Sequence, residues 1–143
     1  MSGDHIAGIV EGMGKVRPYF RKLFSIASDL SDAEILILSL LKSMDGKKVS
    51  MSMLYNELHP IKPSKLTQIT NKMEDKGLIK KARSKKDRRK VEIHLTEKGK
   101  KALEKYEKSI AALLTPLVSD LDNTEAEVLN KSFDIWVKIL SRL

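Results

Sequence analysis

Cysteine is absent from the 143 residues, which excludes disulfides, thiolate chemistry and cysteine-based redox sensing. The three histidines, His5, His59 and His94, are scattered without metal-ligand spacing and read as structural or surface residues, so no metal is expected. No run of about eighteen apolar residues exists, so no transmembrane helix is expected. The opening Met1-Ser2-Gly3-Asp4-His5 lacks the basic start and apolar stretch of a signal peptide. Together these absences lead to the expectation of a cytoplasmic protein without membrane attachment. Gly12-Met13-Gly14 has no preceding strand and no third glycine, so it reads as a helix irregularity rather than a nucleotide loop. Neither a nucleophile elbow nor a phosphate-binding loop nor a zinc-protease motif occurs, and the expectation is a protein that is not an enzyme and carries no cofactor.

Charge is abundant but unevenly placed. Of the formal net charge of +8, the stretch from Lys62 to Lys90 holds an excess of nine, with twelve basic residues against three acids. The remainder is close to neutral. A focused excess of this kind resembles the footprint of a polyanion-binding face, although a solvated lysine-rich surface would have the same composition. Hydrophobic residues at 41% and charged residues at 32% describe a chain that folds rather than one that stays disordered.

Apolar residues recur at helical spacing through Ile6, Val10, Met13, Val16, Phe20, Leu23, Phe24 and Ala27, which predicts a long first helix with a kink near Pro18. Ser31 and Glu34 form a capping box for a second helix, which Asp45-Gly46 ends in a turn. Ser50 can cap a short third helix, and Pro63 suits the first position of a fourth. In that fourth helix Leu66, Ile69 and Met73 make an apolar stripe, and Gly77 closes it as a left-handed cap. Ile79 to Ser84 and Val91 to Leu95 read as two strands joined by the charged link Lys85-Lys86-Asp87-Arg88-Arg89. Thr96 opens a fifth helix that bends or ends at Pro116, and Thr124 with Glu127 is expected to cap the last one. No internal repeat or low-complexity segment is present.

The predicted fold class is therefore mainly α with a small β-hairpin wing, a winged helix-turn-helix flanked by long N- and C-terminal helices. The fourth helix offers Ser64, Lys65, Thr67, Gln68, Asn71 and Lys72 on its polar face. Hydroxyls and amides there can donate and accept at base edges, and Gln or Asn can pair bidentately with adenine. The lysines, Lys62 included, suit phosphate contacts, which position a protein on double-stranded DNA without specifying sequence. A polar face that merely meets water is the plainer alternative.

Gly77-Leu78-Ile79, then Arg83, then Asp87-Arg88-Arg89, then Leu95-Thr96-Glu97-Lys98-Gly99 resembles the signature of the MarR family of winged-helix regulators. Ser31-Asp32-Ala33-Glu34 and Leu66-Thr67 fit the same pattern, and the resemblance spans essentially the whole chain. It implies a wing of Arg83, Lys85, Lys86, Asp87, Arg88, Arg89 and Lys90 that contacts DNA. Arg89 matches the arginine that enters the minor groove, where a narrow groove concentrates negative potential. Asp87 matches the acid that braces the wing beside that arginine, a role compatible with a simple turn residue. Ser64, Thr67 and Gln68 match positions that touch bases. Position 68 is often arginine in the family and is Gln here, so base preference does not transfer.

The resemblance also implies a homodimer formed by terminal helices, with residues 1–30 and 98–143 as dimerisation segments around a DNA-binding domain at 31–97. Phe133, Trp136, Ile139 and Leu140 make one apolar face on the last helix, which either a partner or the chain itself could cover. A small anionic aromatic effector is a further implication, with Met13, Arg17, Tyr19 and Phe20 as its candidate pocket. The expected function is a sequence-specific transcription regulator, a repressor relieved by that effector, on a near-palindromic site. The alternatives are a winged-helix module that binds an acidic protein, and a general DNA-packaging protein.

Overall fold

The computed structural model describes residues 1–26 and 28–143. Ala27, expected in the apolar stripe of the first helix, lies outside the described residues. In chain order the elements are α1 (Gly3–Ile26), α2 (Asp32–Ser43), β1 (Val49–Ser50), α3 (Met51–Glu57), α4 (Pro63–Asp75), β2 (Ile79–Arg83), β3 (Val91–Leu95), α5 (Glu97–Leu114), a 3-10 turn (Thr115–Leu117) and α6 (Asn123–Leu140). The chain divides into two units, Met1–Ile110 and Ala111–Leu143. No helix among the described residues is long and apolar enough to cross a membrane.

The first unit owes its core to four elements that each offer one apolar face. Ile37, Leu38 and Leu41 of α2 meet Leu54 of α3, Leu66 and Met73 of α4, and Ile79 and Ile93 of the sheet, all at most 5% exposed. Each such side chain contributes about 1.5–3 kcal/mol on leaving water. The sheet is antiparallel in the order β1-β3-β2, with Val49 opposite Ile93 and Ile79 opposite Leu95. Sequence reading missed β1, because a strand of two residues carries no alternation to detect.

Helix ends follow the residues that cap them. Ser31 Oγ accepts from the Glu34 amide at 3.2 Å, and the Ser31 amide donates to Glu34 Oε2 at 3.3 Å. Ser50 Oγ accepts from the Met53 amide at 3.2 Å, and Pro63 occupies the first turn of α4. α1 runs unbroken through Pro18, which removes one amide donor without ending the helix. Pro116 does end α5, whose last turn tightens into the 3-10 turn.

The start of α6 corrects the expected Thr124–Glu127 box. Asp122 is the cap instead: its Oδ1 accepts from the Glu125 amide at 2.7 Å, and its own amide donates to Glu125 Oε2 at 3.0 Å. The same three-residue spacing occurs two residues earlier, and a carboxylate at the cap also complements the helix dipole, so the earlier pair wins. Asp122→Ala is expected to cost about 1 kcal/mol of stability, and Thr124→Ala only a few tenths. Urea unfolding of the two variants checks this; the reverse order would return the cap to Thr124.

Candidate nucleic-acid interface

Helix α4 buries Leu66, Thr70 and Met73 and leaves Ser64, Lys65, Gln68, Asn71 and Lys72 exposed on the other side. Thr70 is tolerated inside because its hydroxyl donates to the Thr67 carbonyl at 3.1 Å and lies 3.9 Å from Met51 Sδ. Thr67 is half-buried, and its hydroxyl is engaged within the protein. It donates to the Pro63 carbonyl at 3.0 Å and, its one proton spent, accepts from the Tyr55 hydroxyl at 3.2 Å. Tyr55 thereby ties α3 to the middle of α4. Its role is not legible in the sequence, since a tyrosine on a short helix looks like any half-buried aromatic.

The end of α4 is fixed by an interlock that accounts for the Leu-Thr-Glu-Lys-Gly run. Gly77 sits at φ +76°, and the Gly77 and Leu78 amides bond back to the Glu74 and Met73 carbonyls at 2.8 and 2.9 Å. The Thr96 hydroxyl lies 2.6 Å from the Gly77 carbonyl oxygen and 2.9 Å from that of Leu78, and accepts from the Gly99 amide at 3.0 Å. Lys98 Nζ reaches the Lys76 carbonyl at 2.7 Å. Lys76 Nζ in turn meets the Glu34 carboxylate at 2.7 Å, a group whose side chain is only 8% exposed. One residue of the basic stretch thus serves the fold, and Glu34 both caps α2 and anchors the end of α4.

The wing is organised by a serine that sequence reading placed only at a strand end. Ser84 is buried; its amide donates to the Lys90 carbonyl at 2.9 Å, and its Oγ faces the Lys86 and Asp87 amides at 3.3 and 3.4 Å. Asp87 Oδ1 accepts from the Arg89 amide at 3.0 Å, and the Asp87 carbonyl accepts from the Lys90 amide at 3.0 Å. The acid therefore braces the backbone of the arginine rather than its guanidinium. Arg83, Lys85, Lys86, Arg88, Arg89 and Lys90 are all exposed, and among the described residues none of them is ion-paired. Six uncompensated cations surround one short loop.

Lys81 joins wing and helix. Its amide donates to Glu74 Oε2 at 2.7 Å, and its ammonium donates to Asn71 Oδ1. Burial lowers the Lys81 pKa, and the nearby Glu74 carboxylate works in the opposite direction. Neither Glu74 nor Lys81 carries a sequence signal beyond its charge.

The other expected sites lie elsewhere. Met13, Arg17, Tyr19 and Phe20 are exposed on α1, with Phe20 stacked on Phe24 at a ring separation of 5.9 Å. A cavity of about 350 Å³ in the same unit is lined by other residues, among them Asp29, Lys105 and Tyr106. On α6, Phe133, Ile139 and Leu140 are exposed and Trp136 is half-buried.

Comparison with known proteins places this geometry. The family model for the transcriptional regulator SarA/Rot matches residues 21–106. The HTH-type transcriptional regulator YpoP of Bacillus subtilis (strain 168) is 35% identical over 78 residues, 54% of this chain and 53% of its own. The chain thus spans about half the length of that curated relative. The crystal structure of the transcriptional regulator BldR from Sulfolobus solfataricus is 27% identical, with a TM-score of 0.72 over 100% of both chains. A MarR family protein from Bacillus stearothermophilus has a TM-score of 0.76 over 99% of both chains at 17% identity, which shows the shared fold. The chain belongs to the SarA/Rot family of transcriptional regulators and shares its winged-helix fold with a MarR family protein.

Proposed function

We propose that the protein is a sequence-specific repressor that binds a near-palindromic operator as a homodimer. The observation that carries this reading is the pairing, within one unit, of an exposed polar helix face with a braced loop of unpaired cations. The helix of such a pair enters the major groove, and the wing arginine lies in the adjacent minor groove. Ser64, Gln68 and Asn71 would meet base edges, and Lys62, Lys65 and Lys72 phosphates. Exposed apolar residues support the dimer: Ile6, Val10, Val16 and Phe24 on α1, and Val128, Leu129, Phe133 and Ile139 on α6, are each at least 42% exposed in the single chain. Faces of that size are rarely left in water. In this scheme a small anionic aromatic effector, drawn by Arg17 beside Tyr19 and Phe20, shifts the spacing of the two recognition helices and relieves repression. Salicylate-type acids titrated against the protein and its Arg17→Ala variant test the effector.

The decisive experiment is selection of genomic fragments by the purified protein at physiological salt, followed by titration of the winning site. The expected result is a short palindrome with half-sites about 10 base pairs apart, bound at least about a thousandfold tighter than random DNA. Steep salt dependence without sequence preference would overturn the reading in favour of DNA packaging. Absence of DNA binding would overturn it in favour of a protein-interaction module.

A further inference from the structure

A lysine ammonium has three protons and no lone pair, so it can only donate. The partner that Asn71 turns towards Lys81 Nζ must therefore be its carboxamide oxygen, whichever way the amide is drawn. The carboxamide nitrogen is then the atom left for the exposed face of α4. Lys81 is itself well placed to hold this state. Its backbone is pinned by Glu74 on the same helix as Asn71, and the residue is half-buried. The neighbouring readers differ from Asn71. Gln68 is exposed one turn earlier, and no hydrogen bond among the described residues involves its amide, so both its amide functions remain available. The Thr67 hydroxyl is spent on Pro63 and Tyr55.

We infer that Lys81 is a specificity-determining positioning residue: by holding the oxygen of Asn71 towards β2 it leaves the carboxamide N–H groups as the ones turned to the major groove, where they favour guanine. Resting on the DNA-binding role proposed for α4, the inference names the chemistry of one contact. Guanine offers two adjacent acceptors, N7 and O6, to an amide nitrogen. Adenine offers one acceptor beside an N6 donor, and the bidentate pairing of Asn with adenine needs the oxygen turned to the base, whereas Lys81 turns it to the strand. Thymine offers the single acceptor O4 and cytosine only a donor, so guanine alone presents two acceptors. A free Asn at this place reads adenine; a Lys81-bound one reads guanine.

The test is selection from a randomised duplex pool with the wild-type full chain and with Lys81→Met, Lys81→Arg and Asn71→Asp. Wild type is expected to prefer guanine over adenine about tenfold at one position of each half-site. Lys81→Met should reduce that ratio to about one or reverse it, with preferences at the other positions unchanged. Lys81→Arg, which can still only donate, should keep guanine. Asn71→Asp keeps its bond to Lys81 but presents a second acceptor, and should move the preference to cytosine. Circular dichroism and melting of each variant identify any that fail to fold, and Lys81→Arg and Asn71→Asp then carry the test without Lys81→Met. If Lys81→Met weakens all sequences equally and leaves every base preference in place, Lys81 is a phosphate contact or a packing residue and the inference is overturned. A wild type that enriches no sequence would overturn the sequence-specific reading itself, and this inference with it.

Discussion

Gly99→Ala is expected to lower stability by about 3 kcal/mol, enough to bring the melting temperature down by roughly 10 °C. The reason is a backbone contact, not a side chain. A Cβ at position 99 would stand 2.1 Å from the Leu78 carbonyl oxygen and 2.8 Å from Leu95 Cδ1. That carbonyl cannot retreat cheaply, because it accepts from the Thr96 amide at 3.3 Å and sits 2.9 Å from the Thr96 hydroxyl. Relief requires α5 to move off the junction between α4 and β2, which would also loosen the end of α4, the helix proposed to read DNA. DNA affinity should therefore fall along with stability. Gly14→Ala is the control: its Cβ would meet nothing within 4 Å on an exposed turn of α1. That change should stabilise by up to about 1 kcal/mol, because alanine is the better helix former and restricts the unfolded chain. Thermal melts of the two variants in one buffer are sufficient. Equal melting temperatures would mean that the approach of Gly99 to Leu78 is not a fixed feature of the folded protein.

Gly99 also marks how far the sequence could be read. Helix periodicity, the Ser31–Glu34 box, Pro63, the Gly77 cap and the hairpin were all legible, because each is a local rule that the chain obeys over three to seven residues. The Leu-Thr-Glu-Lys-Gly run was legible only as a resemblance. Its physical content is a set of contacts between residues 76–78 and 96–99, about twenty positions apart, and no local rule announces such a meeting. The same limit hid Tyr55 and Lys81. Both look ordinary in sequence and acquire their roles from partners on another element, Thr67 and Asn71 of α4. Ser84 bonds amides only two and three residues ahead, and went unseen because serine is common at strand ends. At the start of α6 two candidate boxes overlapped, and pattern matching had no means of ranking a carboxylate above a hydroxyl. The polar face of α4 was legible as a face. What sequence could not tell was that two of its members, Thr67 and Asn71, already accept a hydrogen bond from within the protein.

Arg89→Ala is expected to have the largest effect of any single wing substitution on DNA binding, a loss of about a hundredfold for the proposed dimer, which carries the arginine twice. Six exposed cations of the wing would share the long-range attraction to DNA, so removing one charge should be a modest loss if charge alone mattered. Arg89 differs because its backbone is fixed: its amide is bound to Asp87 Oδ1, and the flanking turn is closed by the Lys90 amide on the Asp87 carbonyl. A side chain launched from an ordered tip loses less entropy on entering a groove than one launched from a mobile loop. Three companions separate the two contributions. Lys85→Ala should weaken binding only severalfold and lower the salt slope by about one for each phosphate left without its cation. Arg89→Lys should keep nearly the whole salt slope and yet lose most of the affinity, since a compact ammonium does not replace a planar guanidinium in the groove. Asp87→Ala leaves every cation in place and raises the net charge by one, so a purely electrostatic wing would bind more tightly. The braced-tip account requires the opposite, about a fivefold to tenfold weakening, because the tip must then be ordered on binding. Titrations of one operator duplex at several salt concentrations measure all four, and an Asp87→Ala protein that binds as well as wild type would reduce the wing to its charge.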